Sequence, residues 1–296
     1  MGIVNVTPDS FSDGGRFLQA QAAIEHGGRL IAEGADIVDV GGESTRPGAE
    51  PVSVEVELGR VQPVIEGLAA AQTAAQISID TSKGAVARSA LRAGASLVND
   101  VSAFRADPQM SGVVADSGAE CCLMHMLGEP RTMQQDPRYE DVVDDVKAFL
   151  EERLAFAVRE GVSEQRVLLD PGIGFGKTVE HNLELLRRLD ELCTLGRPIV
   201  IGTSRKSFLG RIAAGSPAAG AQGGPAGGLS QSRTAEALGA GARLGGTLAS
   251  NVLALERGAS VFRVHEVAPV REALAVAAAT LGERWTARSA RTTRTS

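Results

Sequence analysis

Short apolar runs rich in Val, Ile and Leu recur along the chain, and almost every one ends in a polar or charged residue. Gly2 to Val6 carries Asn5 and leads into Thr7, Asp9, Ser10, Ser12 and Asp13, then a glycine pair. Ala35 to Val40 leads into Gly41-Gly42-Glu43-Ser44-Thr45-Arg46-Pro47-Gly48. Ile77 to Ile79 ends in Asp80, Ser96 to Val98 in Asn99-Asp100, Cys121 to Met124 in His125, and Val167 to Leu169 in Asp170. Ile199 to Ile201 leads into Gly202-Thr203-Ser204-Arg205-Lys206, and Ala259 to Val264 into His265-Glu266. Continuous runs of this length, without polar alternation, predict parallel strands covered on both faces. Helical periodicity fills the intervals, as in Val54 to Ala70, Tyr139 to Arg159 and Ala268 to Leu281. Strand and helix alternating at this spacing predict βαβ units, and about eight of them predict a single-domain α/β fold, the TIM (β/α)8 barrel.

A doubly wound open sheet would give much the same periodicity. The polar strand ends favour the barrel, because a closed ring brings its carboxyl edges to one mouth, where barrel active sites lie. Two segments depart from the pattern. Residues 213–228 are almost all Ala, Gly, Ser, Pro and Gln and are read as a flexible insertion; residues 283–296 place four arginines among Thr and Ser and are read as a disordered tail. The domain is therefore expected to span residues 1–282.

Composition narrows the function. A net charge of -6 and only 10 aromatic residues (8 Phe, 1 Tyr, 1 Trp) argue against nucleic acid as a partner. No apolar stretch is long enough to span a bilayer and no secretory signal is visible, so a cytoplasmic protein without a membrane partner is expected. The three cysteines, Cys121, Cys122 and Cys193, form no CxxC pair and are read as reduced thiols rather than a disulfide or zinc framework.

Candidate chemistry sits at the strand ends. Asp80, Asn99 and Asp170 supply two carboxylates and an amide, which suit the planar donor edge of an aminopyrimidinone ring. Taken singly, each could instead cap the following helix. Lys206 follows small residues at a helix start, where an anion or ring can approach closely. Arg263 and His265, one residue apart, share a side of a strand and suit a pyrophosphate group; an ordinary ion pair of Arg263 with Glu266 is the competing reading. His125 is a weaker candidate, and His26 and His181 fall in helical patterns and are expected at the surface. Asp170-Pro-Gly-Ile-Gly-Phe-Gly-Lys-Thr178 is not a P-loop, because Pro171 occupies the first glycine position and has no amide to offer; Lys177 likewise breaks a dinucleotide-binding glycine pattern. Phe175 and Lys177 are expected at the mouth.

The strings NVTPDSFSDGG, DVGGESTRPGA, SIDT, VND, MHMLGEPRTMQ, LDPGIGFGK, SRKSFLG and FRVHE occur in the order seen in dihydropteroate synthases, which the chain resembles over nearly its whole length. The resemblance implies a TIM barrel that condenses 6-hydroxymethyl-7,8-dihydropterin diphosphate with 4-aminobenzoate, giving 7,8-dihydropteroate and pyrophosphate in folate biosynthesis. It implies pterin contacts from Asp80, Asn99, Met124, Asp170 and Lys206, and catalytic roles for Asp80, Asp170, Lys206 and Asp9. Thr45, Arg263 and His265 would meet pyrophosphate. Phe11, Arg46, Pro47, Phe175 and Ser207 would surround the aminobenzoate, where sulfonamides compete. Asn5 would be a ligand to magnesium (Mg2+), Thr7 and Asp9 would ride on a closing loop, and the chain would form a homodimer, less surely given the insertion after Lys206. Only Met1-Gly2-Ile3-Val4 precede the first motif, fewer residues than the family usually has, so a weakened first strand or a misassigned start is expected. The alternatives are a pterin-dependent methyl-carrier barrel, against which the Ser-Arg-Lys-Ser-Phe block stands, and a non-catalytic member of the family.

Overall fold

The computed structural model describes residues 1–7, 16–45, 48–215 and 243–282. Each apolar run forms a strand: β1 Gly2–Asn5, β2 Ile37–Gly41, β3 Gln76–Asp80, β4 Leu97–Asp100, β5 Glu120–Met124, β6 Val167–Asp170, β7 Val200–Ile201 and β8 Val261–Phe262. The described helices are α1 Arg16–Ala32, α2 Val54–Ala70, α3 Gly84–Ala93, α4 Met110–Ser117, α5 Val142–Arg159, α6 Val179–Arg187, α7 Leu189–Cys193, α8 Ser207–Gly215, α9 Leu244–Glu256 and α10 Val267–Thr280. α5 begins at Val142 rather than Tyr139, because the Asp141 carboxylate accepts from the amides of Val143 and Asp144 and starts the helix there. α8 takes in residues 213–215, so that part of the expected insertion is helical. Residues 216–228 and the expected tail at 283–296 lie outside the described residues.

Strands β1 to β6 pair in chain order, all parallel, and β7 pairs with β8. Two parallel bridges, Leu169 with Ile199 and Gly2 with Val264, join the two sets into a ring. The second junction is tight: Ile3 N donates to Val264 O at 3.0 Å, Val264 N donates to Met1 O at 2.9 Å, and the Met1 ammonium donates to Phe262 O at 3.0 Å. The short first strand thus pairs on both sides and is not weakened. The sheet is closed, as in a TIM barrel, and the open-sheet alternative falls.

The lumen is layered. Ile37, Leu97, Cys122, Leu168, Val200 and Val261 form one buried cluster across six strands, with Met1 packed against it. Side chains two positions apart share a face of a strand. One step further toward the mouth, the same faces carry Asp39, Asn99, Met124, Asp170 and, just beyond β8, Arg263. An apolar plug therefore closes the barrel beneath a mostly polar layer, and the larger core lies between strands and helices. No helix among the described residues is long and apolar enough to cross a membrane.

Candidate active site

The polar layer is organised by Asp39, which sequence reasoning missed. Its carboxylate is fully buried and accepts from Ser78 Oγ at 2.6 Å, Asn99 Nδ2 at 3.0 Å and Arg263 Nε at 2.6 Å. Arg263 also donates from Nη2 to Asp80 at 2.7 Å. The competing pairing with Glu266 is not formed; Glu266 instead accepts from Arg205 Nε at 2.6 Å. Nor does Arg263 act as a simple neighbour of His265, whose Nδ1 lies 3.0 Å from Ser204 Oγ. Two carboxylates share one guanidinium in a largely buried layer. Burial raises the pKa of Asp80, Arg263 opposes the rise and Asp39 adds to it. Removing one partner of a buried pair leaves the other charge uncompensated, so Asp39→Asn is expected to cost about 3 kcal/mol in a urea titration. A loss under about 1 kcal/mol would show that Arg263 does not depend on Asp39.

The segment after β6 forms the next wall. Asp170 is buried, accepts from Gly172 N at 2.7 Å, and has its pKa raised by burial against the pull of Lys206. The Lys206 ammonium reaches the Ile173 carbonyl and lies 4.7 Å from the centroid of the Phe175 ring. Burial lowers its pKa to about 8, Asp170 pulls it up and Arg263 pushes it down. Phe175 packs on an apolar cluster of Val101, Met124, Met126 and Met133, which places Met124 beside it on this wall. Lys177 departs from expectation: it is 3% exposed, and its Nζ lies 2.8 Å from His125 Nδ1 and 3.0 Å from Phe175 O. Burial drives the His125 pKa down to about 2, so the imidazole is neutral and Nδ1 accepts from the lysine. His181 is not a free surface residue either, since it caps α6 with Thr178 and packs edge-on against Tyr139. His26, in α1, is half-buried.

The remaining candidates lie around the mouth. Asn5 ends β1 opposite Gly41. Thr45 is half-buried in the segment after β2, which is anchored by Glu43: that carboxylate accepts from Val52 N at 2.8 Å and from Lys83 Nζ at 2.8 Å, and Lys83 also reaches the buried Glu57 at 2.6 Å. Ser207 is exposed at the start of α8, next to Lys206. Asp9, Phe11, Arg46 and Pro47 lie outside the described residues, and Thr7 is the last residue described on the first segment. Among the described residues, no three His, Cys, Asp or Glu side chains gather as a metal cluster.

The family model for pterin binding enzymes matches residues 1–265. A dihydropteroate synthase from Escherichia coli is 42% identical over 281 residues, covering 95% of this chain and 91% of the relative. The chain belongs to the dihydropteroate synthase family. Solved family members superpose along its whole fold. The Xanthomonas albilineans dihydropteroate synthase with 4-aminobenzoic acid matches with a TM-score of 0.81 at 45% identity, covering 95% of this chain and 92% of that one. The Yersinia pestis dihydropteroate synthase in a sulfonamide drug complex matches with a TM-score of 0.81 at 39% identity, covering 95% and 94%. The chain is a transferase of folate biosynthesis that joins 6-hydroxymethyl-7,8-dihydropterin diphosphate to 4-aminobenzoate, forming 7,8-dihydropteroate and pyrophosphate.

Within this dihydropteroate synthase barrel, sequence reasoning found the strand-end residues and missed those that orient them. Asp39 was within reach: it lies two positions after Ile37, in phase with Leu97 to Asn99 and Leu168 to Asp170. Glu57 lies in α2 and Lys83 just before α3, far apart in sequence, and they carry no such local signal.

Proposed function

We propose that the polar layer and its surrounding loops divide the substrates as follows. Asp80, Asn99 and Asp170 take the donor edge of the pterin ring, with Lys206 at its carbonyl side and Met124 on its face. The observation that carries this is the buried polar layer directly above the apolar plug: two carboxylates and an amide held at the mouth of the lumen, two of them already fixed by Asp39 and Arg263. Arg263, His265 and Thr45 meet the diphosphate. Phe175 and Ser207, with Phe11, Arg46 and Pro47, frame the aminobenzoate, and a sulfonamide competes there. Asp9 belongs to the loop that covers the site.

The chemistry needs no protein nucleophile. The methylene carbon–oxygen bond breaks with its electron pair leaving on pyrophosphate, the arylamine nitrogen forms the new bond to that carbon, and the nitrogen loses a proton to solvent. Asp80 and Asp170 favour the positive charge that develops on the pterin, while Arg263 and His265 favour the charge on the leaving group. Asn5, at the end of β1, would hold magnesium through its amide oxygen together with the diphosphate. Bound in that way, magnesium would neutralise charge on the diphosphate. Cytoplasmic location and homodimerisation complete the proposal.

Pyrophosphate release from the purified chain, with pterin diphosphate and magnesium, tests the assignment. Release is expected only when 4-aminobenzoate is added and magnesium is present; release unaffected by chelation would remove the metal from the scheme. A second test uses pH. A lysine whose folded pKa is lowered loses its charge as pH rises through that lowered value, so kcat/KM for the pterin diphosphate is expected to fall through about pH 8. Lys206→Arg stays charged and is expected to move this limb upward, at a lower rate. An unmoved limb would take Lys206 out of the pterin site.

A further inference from the structure

Four consecutive carbonyls after β6 are each taken by a side chain. Lys206 bonds Ile173 O, Gln134 Nε2 donates to Gly174 O at 2.5 Å, Lys177 Nζ to Phe175 O at 3.0 Å and Tyr139 Oη to Gly176 O at 2.7 Å. The amides are held as well: Gly172 N donates to Asp170, and Gly174 N donates to Asn182 Oδ1 at 2.7 Å. A segment with three glycines at positive φ, Gly172, Gly174 and Gly176, has little intrinsic preference for one shape. These side chains supply it.

Of the two lysines in this set, Lys206 is placed at the pterin and Lys177 has no role in the reaction. It is buried, and its two bonds are to neutral acceptors, the His125 ring and the Phe175 carbonyl. His125 is in turn wedged edge-on against Phe149 at 4.8 Å between ring centroids, and its own amide donates to Asp170 O at 2.9 Å. A fully buried lysine is costly to keep, even with the Asp170 carboxylate near enough to favour its charge. We propose that Lys177, braced on His125, is a positioning residue for 4-aminobenzoate: it fixes the Phe175 backbone and so sets the ring against which the arylamine is held. Lys177 touches neither substrate. The inference rests on the placement of Phe175 beside the aminobenzoate.

A purely structural role and a positioning role predict different results for Lys177→Met. Exchanging a buried lysine for an apolar side chain of similar length is often neutral or stabilising. Steady-state kinetics on the full chain are expected to show KM for 4-aminobenzoate raised about tenfold, KM for the pterin diphosphate within about twofold of the parent, and no fall in Tm. An unchanged KM for 4-aminobenzoate overturns the proposal, as does an equal loss in both KM values and kcat with a lowered Tm. Phe175→Ala, measured alongside, separates the two layers of the argument. If it raises KM for 4-aminobenzoate while Lys177→Met does not, the positioning role alone fails. If it leaves that KM unchanged, the placement of Phe175 fails and the proposal falls with it. Should Lys177→Met not fold, Tyr139→Phe removes only the bond to Gly176 O and is expected to raise the same KM about threefold; no change there overturns the proposal.

Discussion

Asp80→Asn is expected to lower kcat/KM for the pterin diphosphate by at least about a hundredfold, while the protein remains folded. The side chain ends β3 inside the polar layer, and asparagine keeps its shape but presents one acceptor and one donor where the carboxylate presents two acceptors. A planar NH and NH2 pair on the substrate would then meet a donor. Breaking a buried, charge-assisted pair of this kind costs roughly 2–5 kcal/mol, and each 1.4 kcal/mol is about tenfold. The fold survives because Arg263 keeps its second carboxylate, Asp39, at 2.6 Å. The measurement is initial-rate kinetics together with circular dichroism and a thermal midpoint. A variant with near-normal kcat/KM would remove Asp80 from the site. A variant that unfolds would show instead that the Asp39, Arg263 and Asp80 charges act chiefly as a structural cluster.

Gly172→Ala is expected to be among the most damaging single-methyl changes available in this chain. Its φ is +67°, and a Cβ placed there would lie 1.8 Å from the carbonyl oxygen of His125 and 2.9 Å from its carbon. Backbone, not the end of a flexible side chain, occupies the space. Left-handed geometry alone costs about 1–2 kcal/mol for a residue with a Cβ. The clash forces apart the β5 and β6 ends that carry His125 and Asp170, so a total loss of at least about 4 kcal/mol is expected. Gly118 supplies the control: its φ is +64° and nothing lies within 4 Å of the point an added methyl would occupy, so Gly118→Ala bears the backbone cost alone. The comparison is made by urea denaturation of both variants. Equal losses would mean that the contact with His125 relaxes freely and that the two strand ends are not rigidly apposed.

Both variants act where sequence information was richest, and the contrast between them shows how far that information reached. Asp80 could be picked out because it recurs with Asn99 and Asp170 directly after buried apolar runs, although any one of them alone could cap a helix. The importance of Gly172 could be read only as a turn; the close approach of the His125 carbonyl is a fact about two strand ends that are far apart in the chain. Lys177 was misplaced for the same reason. Local pattern presents Lys177 at the barrel mouth, whereas the structure turns it inward to the His125 ring.

Strand and helix identity, the order of the elements, the cluster of polar strand ends and the family were determined by the amino-acid sequence itself. Those properties follow from local periodicity, short-range turn chemistry and the literal motif strings. Closure of the ring through Val264 and Met1, the sharing of Arg263 between Asp39 and Asp80, and the fastening of the β6 segment by Gln134, Tyr139, Lys177 and Lys206 were decided only by tertiary structure. The physical reason is range. A hydrophobic period records which face of an element is buried, but a hydrogen bond or ion pair between residues 224 positions apart, such as Arg263 to Asp39, leaves no trace in either local pattern. It exists only once the barrel has brought the two strand ends to the same depth.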